Sequence, residues 1–155
     1  MKKAINNYLN QYKEIYNKEL FFEDSNETQN SSNSLQSYYH EIKNCVKCQL
    51  SKNRTNFVFG VGNPNSDIVF VGEAPGKNED LIGEPFVGRS GKLLDKILGA
   101  VNLSRDKVFI LNVVKCRPPE NRAPSSNEID ECEPYLKKQL KIIKPKLIVA
   151  LGRVS

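Results

Sequence analysis

Four cysteines have a spacing that could bind a metal ion or an iron–sulfur cluster. A Cys45-x2-Cys48 pair is followed, after a gap of 67 residues, by Cys116 and Cys132. In a reducing compartment such a set indicates a metal or redox site more often than disulfides. Because the candidate ligands come from distant segments, we favour a [4Fe–4S] cluster over a structural zinc, whose ligand pairs usually lie in one compact motif. Free structural thiols are the remaining alternative.

Two polar residues could recognise a ligand at the ends of predicted strands. Glu73 follows one short apolar run and Asn112 follows the next. An Asn amide offers one acceptor and two donors, which can pair with the edge of a nucleobase. The alternative is that Asn112 ties down the backbone of a loop.

Carboxylates near the same place could take part in glycoside cleavage. Glu73, Glu79 and Asp80 lie within eight residues of one another. Such groups can orient a water molecule or stabilise an oxocarbenium-like centre. Glu79 and Asp80 could equally be solvated loop charges.

The segment from Ile68 to Gly91 contains five glycines and two prolines, so its backbone can turn tightly and approach a ligand closely. Phe86 is a large aromatic residue within it. Its ring either folds into the core or stacks on a flat ligand.

Basic residues beside these loops suggest an anionic partner. The net charge is +5, and residues 1–36 hold four lysines against five acidic residues, so the surplus belongs to the rest of the chain. Such a surplus favours nucleic acid weakly. The cations that could contact phosphates, or could be plain surface charges, are Arg89, Lys92, Arg117 and Arg122.

Strand and helix patterns alternate along the chain. Apolar runs predict buried strands at 68–71, 108–111 and 147–151, and helical stripes lie between them. Ser125 with Glu128 is a capping-box pattern that predicts a helix start, and Pro145 would end that helix. This order predicts a three-layer α/β fold, a parallel sheet flanked by helices, with ligands bound at the carboxyl ends of the strands.

One folded domain is expected, preceded by an N-terminal helix and a linker over residues 1–37. Apolar residues at helical spacing predict an amphipathic helix over residues 1–22, and Ser25 to Ser37 has the composition of a linker. The folded domain would span 38–155. The chain stops just past a strand, so we expect the domain to be C-terminally incomplete. The chain has no apolar run of membrane-spanning length, and we expect a cytoplasmic protein. We also expect a monomer.

The motifs together resemble the family 4, iron–sulfur uracil-DNA glycosylases from about Cys45 onward. The matching segments are Gly72-Glu-Ala-Pro-Gly76 with Glu79-Asp80, Gly83-Glu-Pro-Phe-Val-Gly-Arg89 with Gly91 and Leu93-Leu94-Asp95, Asn112-Val-Val-Lys-Cys-Arg-Pro-Pro119 with Asn121-Arg122, and Leu151-Gly152. The resemblance implies hydrolysis of the N-glycosidic bond of deoxyuridine in DNA.

The resemblance also implies a binding mode for the base. Uracil, flipped out of the duplex, would lie between the backbone of Glu73, Ala74 and Pro75 and the ring of Phe86, with the Asn112 amide at its edge. Family 1 enzymes carry a catalytic aspartate where this chain has Ala74. Glu73 and Glu79 are therefore the candidates for activating water, and Glu79 could instead exclude thymine.

The same resemblance implies a structural role for the cysteines. All four would hold a [4Fe–4S] cluster that anchors the loop from Arg117 to Pro124 near DNA.

One departure from the family is a missing histidine. The family carries a His-Pro-Ser-type motif near its C-terminus, whereas this chain has only His40, ahead of the first cysteine. Electrostatic stabilisers of that kind contribute about 3–4 kcal/mol to catalysis. We therefore expect weak activity. The alternatives are a non-catalytic iron–sulfur DNA or uracil binder, associated with a replication protein, and a zinc-stabilised nucleic-acid module.

Overall fold

The computed structural model describes residues 31–154. The helix predicted over residues 1–22 lies outside them. No helix in the described part of the chain has the length and apolar character needed to cross a membrane.

A four-stranded sheet forms the centre of the domain. Its strands are β1 (Val61–Gly62), β2 (Ile68–Gly72), β3 (Phe109–Asn112) and β4 (Leu147–Ala150), in the order β1-β3-β2-β4. β2 pairs in parallel with both β3 and β4, whereas β1 runs antiparallel to β3. The three strands predicted from apolar runs are confirmed. The two-residue β1 was not predicted, because it is too short to show an alternating pattern.

Helices cover both faces of this sheet, which confirms the three-layer prediction. They are α1 (Ser31–Ile42), α2 (Lys77–Ile82), α3 (Arg89–Ala100) and α4 (Ser126–Ile143). α1 and α4 pack on the face that carries Val69 and Leu111. α3 packs on the other face, where Leu94 and Leu98 contact the Ile110 side of the sheet. Short 3-10 turns at Gln49–Lys52, Arg105–Lys107 and Pro119–Asn121 complete the connections.

The start of α4 follows the predicted capping box. The Ser125 hydroxyl accepts a hydrogen bond from the Glu128 amide at 3.4 Å, and the Ser125 amide donates to the Glu128 carboxylate at 2.8 Å. The helix ends at Lys144, which adopts the left-handed conformation with φ of 52°. Pro145 follows directly, as predicted.

Two expectations fail locally. Residues 31–37, predicted as the second half of a linker, form the first turns of α1, because Leu35, Tyr38 and Ile42 supply a buried stripe within a polar composition. The strand β4, predicted to be buried, leaves Leu147 and Ile148 about half exposed. β4 lies at the sheet edge, and the described helices do not cover these two side chains.

Candidate functional site

The carboxyl ends of β2 and β3 meet at Gly72, where the ring of Phe86 and the amide of Asn112 come together. Gly72 is paired with Asn112 in the parallel ladder. A Cβ atom at Gly72 would lie 2.5 Å from Asn112 Oδ1 and 2.6 Å from Phe86 Cζ. Only glycine leaves room for both groups at this point. The structure thus brings the predicted aromatic and amide residues together at one strand end.

The backbone around Asn112 is held by hydrogen bonds from Lys115, Val113 and Val114. Its main-chain carbonyl accepts a hydrogen bond from Lys115 Nζ at 2.7 Å. The next two amides, of Val113 and Val114, donate to the carbonyls of Gly72 and Glu73. The side chain of Asn112 lies beside Phe86 at Gly72, and the residue is only 2% exposed. A carboxamide in this position can both donate to and accept from a polar ligand.

Phe86 is held in an unfavourable backbone conformation. Its φ of 56° lies in the left-handed region, which bulky residues rarely adopt. Arg105 donates to the carbonyl of Pro85 at 3.2 Å and to that of Phe86. The backbone of Gly91 passes so close to the Phe86 carbonyl that any side chain there would overlap it. Local strain of this kind is typical of functional sites.

Arg105 is a residue that sequence reasoning missed. Its Nε donates to Asp95 Oδ1 at 2.6 Å, so the guanidinium links α3 to the Phe86 turn. An isolated arginine in a loop carries no sequence signal for such a role.

Glu79 lies in the same loop but is occupied by the loop backbone. One carboxylate oxygen accepts from the amides of Val87 at 2.9 Å and Gly88 at 2.7 Å, and the other accepts from Gly76 at 3.1 Å. The side chain is buried. This geometry disfavours Glu79 as a base, because its acceptors already hold the two ends of the loop together.

The carboxylate of Asp80 is also occupied by backbone amides. It accepts hydrogen bonds from the amides of Thr55 and Asn56, at distances from 2.9 to 3.3 Å. Glu73, by contrast, is half-buried beside Gly72, and among described residues its side chain makes no hydrogen bond. Of the predicted carboxylates, Glu73 alone is therefore available for chemistry.

A cleft of about 300 Å³ lies beside this loop. It brings together the start of α2, the start of α3 and the proline-rich loop, and its lining includes Lys77, Arg89, Ser90 and Asn121. Arg89, a predicted phosphate contact, is exposed there, whereas Lys77 was not identified from the sequence. Lys92 is exposed on the next turn of α3.

The other two predicted phosphate contacts are engaged within the loop. Arg117 donates to Asn121 Oδ1 at 2.8 Å. Arg122 donates to both carboxylate oxygens of Glu128, at 2.8 and 2.7 Å. These bonds lower the pKa of the Glu128 carboxyl to about 2. Arg122 thus fixes the loop to α4, and part of its charge is already balanced.

The four cysteines lie around one apolar cluster. Cys116 and Cys132 are buried in it, and the half-buried Cys45 and Cys48 pack against it. All four are free thiols. The fold therefore brings together residues from three distant segments, as the shared-ligand prediction requires.

Hydrogen-bond donors point at the cysteine sulfurs. Arg54 Nη1 lies 3.2 Å from Cys116 Sγ, the Lys115 amide 3.3 Å from Cys132 Sγ, and the Tyr135 hydroxyl 3.1 Å from Cys45 Sγ. Donors of this kind stabilise metal-bound thiolates. The donor set fits an iron–sulfur cluster in its chemistry.

Burial opposes thiolate formation, and nearby cations favour it. Burial raises the pKa of Cys132 to about 11, while Lys115 acts in the opposite direction. Burial also raises the pKa of Cys116, partly offset by Arg54. Within residues 31–154, no three His, Cys, Asp or Glu side chains are arranged to hold a single metal ion.

The described residues form a three-layer α/β domain with polar side chains gathered at the carboxyl ends of β2 and β3. A family model described as the uracil DNA glycosylase superfamily matches residues 59–155. The chain belongs to this superfamily.

Curated relatives place the similarity within one group of that superfamily. The chain is 55% identical over 122 residues to the type-4 uracil-DNA glycosylase of Archaeoglobus fulgidus, covering 79% of this chain and 61% of the relative. It is 52% identical over 114 residues to the type-4 uracil-DNA glycosylase of Thermotoga maritima, covering 74% and 59%. The resemblance identified from the motifs is thereby confirmed. The chain spans about three fifths of the length of these relatives.

One more distant relative is a DNA polymerase. Over 97 residues the chain is 33% identical to a DNA polymerase of Bacillus phage SP01, covering 62% of this chain and 10% of the polymerase.

Proposed function

We propose that the protein is a DNA repair glycosylase that hydrolyses the N-glycosidic bond of deoxyuridine in DNA, releasing uracil and leaving an abasic site. The observation that carries this proposal is the meeting of the Phe86 ring and the Asn112 amide at Gly72. An aromatic ring and a carboxamide that lie side by side can bind a flat pyrimidine: the ring stacks on its face, and the amide forms hydrogen bonds to its edge. The names of the type-4 relatives support the same reaction.

The Asn112 amide would distinguish uracil from cytosine. Its oxygen can accept from N3–H of uracil, and its NH2 can donate to O4. Cytosine presents an acceptor at N3 and a donor at C4, which is the reverse pattern. Because Asn112 is almost fully buried, a mismatched base would leave polar groups unpaired at a cost of about 1–3 kcal/mol each.

Glu73 is the residue we propose for orienting the attacking water. It follows Gly72 directly and has no competing partner among the described side chains. A carboxylate there can also stabilise positive charge on the sugar as the glycosidic bond breaks. Glu79 is proposed as a positioning residue, because its three amide contacts shape the loop that carries Phe86.

Cys45, Cys48, Cys116 and Cys132 would hold a [4Fe–4S] cluster. Such a cluster would supply structural cross-linking between segments rather than redox chemistry. The donors from Arg54, Lys115 and Tyr135 would stabilise the thiolates. Cys116 directly precedes the loop at Arg117–Pro124, so the ligand set would fix that loop for DNA contact.

Arg89 and Lys92, with Lys77, are proposed as contacts for DNA phosphates around the cleft. Arg117 would also contact a phosphate while it donates to Asn121, and Arg122 would mainly hold the loop in place through its bond to Glu128.

The proposed location is the cytoplasm, because buried free thiols suit a reducing compartment. We propose that the protein acts there as a monomer.

The proposal is tested with a labelled oligonucleotide that contains one uracil. We expect strand cleavage after alkali treatment with the uracil substrate and none with a cytosine control. The excision rate of these 155 residues should be low, because their one histidine, His40, does not match the histidine motif of the family. His40 is exposed on α1 beside Tyr39. Tight binding to uracil-containing DNA without cleavage would instead favour the non-catalytic binder. Equal behaviour toward uracil and cytosine would refute both.

The two glutamates can be separated by paired substitutions. Glu73→Gln is expected to slow single-turnover excision by about 10²- to 10³-fold with little change in melting temperature, because its carboxylate supports no fold contact. Glu79→Gln should lower the free energy of unfolding by about 1–3 kcal/mol, because it leaves a backbone amide facing an NH2 group. Single-turnover rates and thermal melting measure the two effects. Equal rates for both variants and the parent would remove both residues from the catalytic account.

A further inference from the structure

Lys115 is a completely buried lysine whose side-chain amine has been given no role in base binding or catalysis. Its relative exposure is 0%, and its side chain is among the largest that are fully buried. No carboxylate within residues 31–154 forms an ion pair with it. A buried amine is costly unless its hydrogen bonds are satisfied. Its contacts therefore indicate what it does.

Those contacts connect the cysteine cluster to the base site. The side-chain amine donates to the carbonyl of Asn112 at 2.7 Å. The backbone amide of Lys115 donates to Cys132 Sγ at 3.3 Å, and its carbonyl accepts from the amide of Val58 at 2.8 Å. One residue thus spans the distance from a candidate ligand sulfur to the backbone of the candidate base-reading residue.

The sheet explains why Asn112 needs this contact. On one side of β3, the ladder to β2 continues past the strand end through the amide of Val113. On the other side, β1 pairs only with Phe109 and Ile110, so it ends before Asn112 is reached. The Asn112 carbonyl lacks a strand partner there, and the amine of Lys115 takes the place of one.

We propose that Lys115 is a positioning residue that fixes the backbone of Asn112, and through it the direction of the amide that reads the base. The proposal rests on the proposed function of Asn112. A lysine amine donates hydrogen bonds in either charge state, so the role does not depend on its protonation. Without this bond the strand end could rotate, and the amide would be less well aligned with the edge of uracil.

The test replaces Lys115 by methionine, which has similar length and no donor. Binding to oligonucleotides with one uracil or one cytosine is measured by fluorescence anisotropy with the holoprotein. Losing one buried hydrogen bond should reduce the preference for uracil about five- to tenfold. Lys138→Met is the matched control, because it removes the amine of an exposed lysine that pairs with Glu41 and contacts neither Asn112 nor a cysteine. An unchanged preference in K115M, or an equal loss in K138M, would overturn the proposal.

A second readout does not depend on uracil. Amide hydrogen exchange at Val113 and Val114 should be faster in K115M than in the parent, with iron content and visible absorption retained, and K138M should leave both amides unchanged. Unchanged exchange in K115M would overturn the positioning role. If the parent shows no preference for uracil, the proposed function fails, while the exchange rates still decide whether Lys115 holds this segment.

Lys115→Gln covers the case in which the methionine variant does not fold. Its shorter side chain keeps an N–H donor that reaches the Asn112 carbonyl poorly. We expect an intermediate preference for uracil and intermediate exchange at Val113. Full parental values for both measurements in this variant would contradict the proposal.

Discussion

A methyl group added at Gly72 is expected to lower the affinity for uracil-containing DNA by about a hundredfold. The new Cβ in Gly72→Ala would lie 2.5 Å from Asn112 Oδ1 and 2.6 Å from Phe86 Cζ. These distances are too short, so the amide and the ring must both move. Because both contacts are with side chains, the fold should survive with a loss of about 1–3 kcal/mol. Binding titrations with uracil and cytosine oligonucleotides, together with thermal melting, measure the two effects.

Gly99→Ala is the matched control for this substitution. Gly99 lies in α3, and a Cβ there meets no atom within 4 Å. Alanine at a helical position should leave binding unchanged and stabilise the helix by up to about 1 kcal/mol. If Gly72→Ala bound uracil-containing DNA as tightly as Gly99→Ala, the ring and the amide at Gly72 would not form the base site.

Removal of one cysteine ligand is the second large effect. Cys132→Ala should abolish the broad visible absorption of the purified protein and reduce its iron and sulfide content several-fold. Cys132 is buried where α4 meets the sheet, so the loss of its cross-link should also destabilise the domain by several kcal/mol. Metal analysis, visible spectra and thermal melting of the anaerobically purified protein measure these changes.

Tyr135→Phe is the control for the cysteine variant. It removes the hydroxyl that donates to Cys45 Sγ but leaves all four sulfurs in place. Iron content and absorption should therefore stay near parental values. A colourless parent that contains one zinc per chain would contradict the cluster proposal, as would full iron occupancy in Cys132→Ala.

The sequence predicted the elements, and the positions of residues at their ends, where a local pattern determined them. Apolar runs identified the strands, and parallel strands place their carboxyl ends at one edge, so Glu73 and Asn112 could be expected together. The capping box at Ser125 fixed the start of α4. In each case short-range chemistry and the tertiary fold agree.

The functions of the loop charges could not be predicted, because they depend on contacts between distant residues. Glu79 looks in sequence like a carboxylate that activates water, yet it is occupied by amides of Val87 and Gly88 from the far end of the loop. Arg122 looks like a phosphate contact, yet Glu128 binds its guanidinium. Arg105 and Lys115 carry no sequence signal, because each acts through a backbone carbonyl that tertiary folding brings near.

The exposure of β4 was not predicted for the same reason: it depends on the tertiary structure and not on a local pattern. An apolar run predicts a strand but not what covers it, so Leu147 and Ile148 were expected to be buried. Their exposure follows from the edge position of β4, which depends on the strand order of the whole sheet.

The most direct test of the base site compares uracil with cytosine in the parent and in Asn112→Ala. Binding of otherwise identical oligonucleotides is measured by fluorescence anisotropy at fixed salt, since phosphate contacts contribute equally to both. The account predicts that the parent prefers uracil by at least about tenfold, and that Asn112→Ala loses this preference while keeping its affinity for undamaged DNA. A parent that binds both oligonucleotides equally, or an Asn112→Ala variant that still prefers uracil, would contradict it.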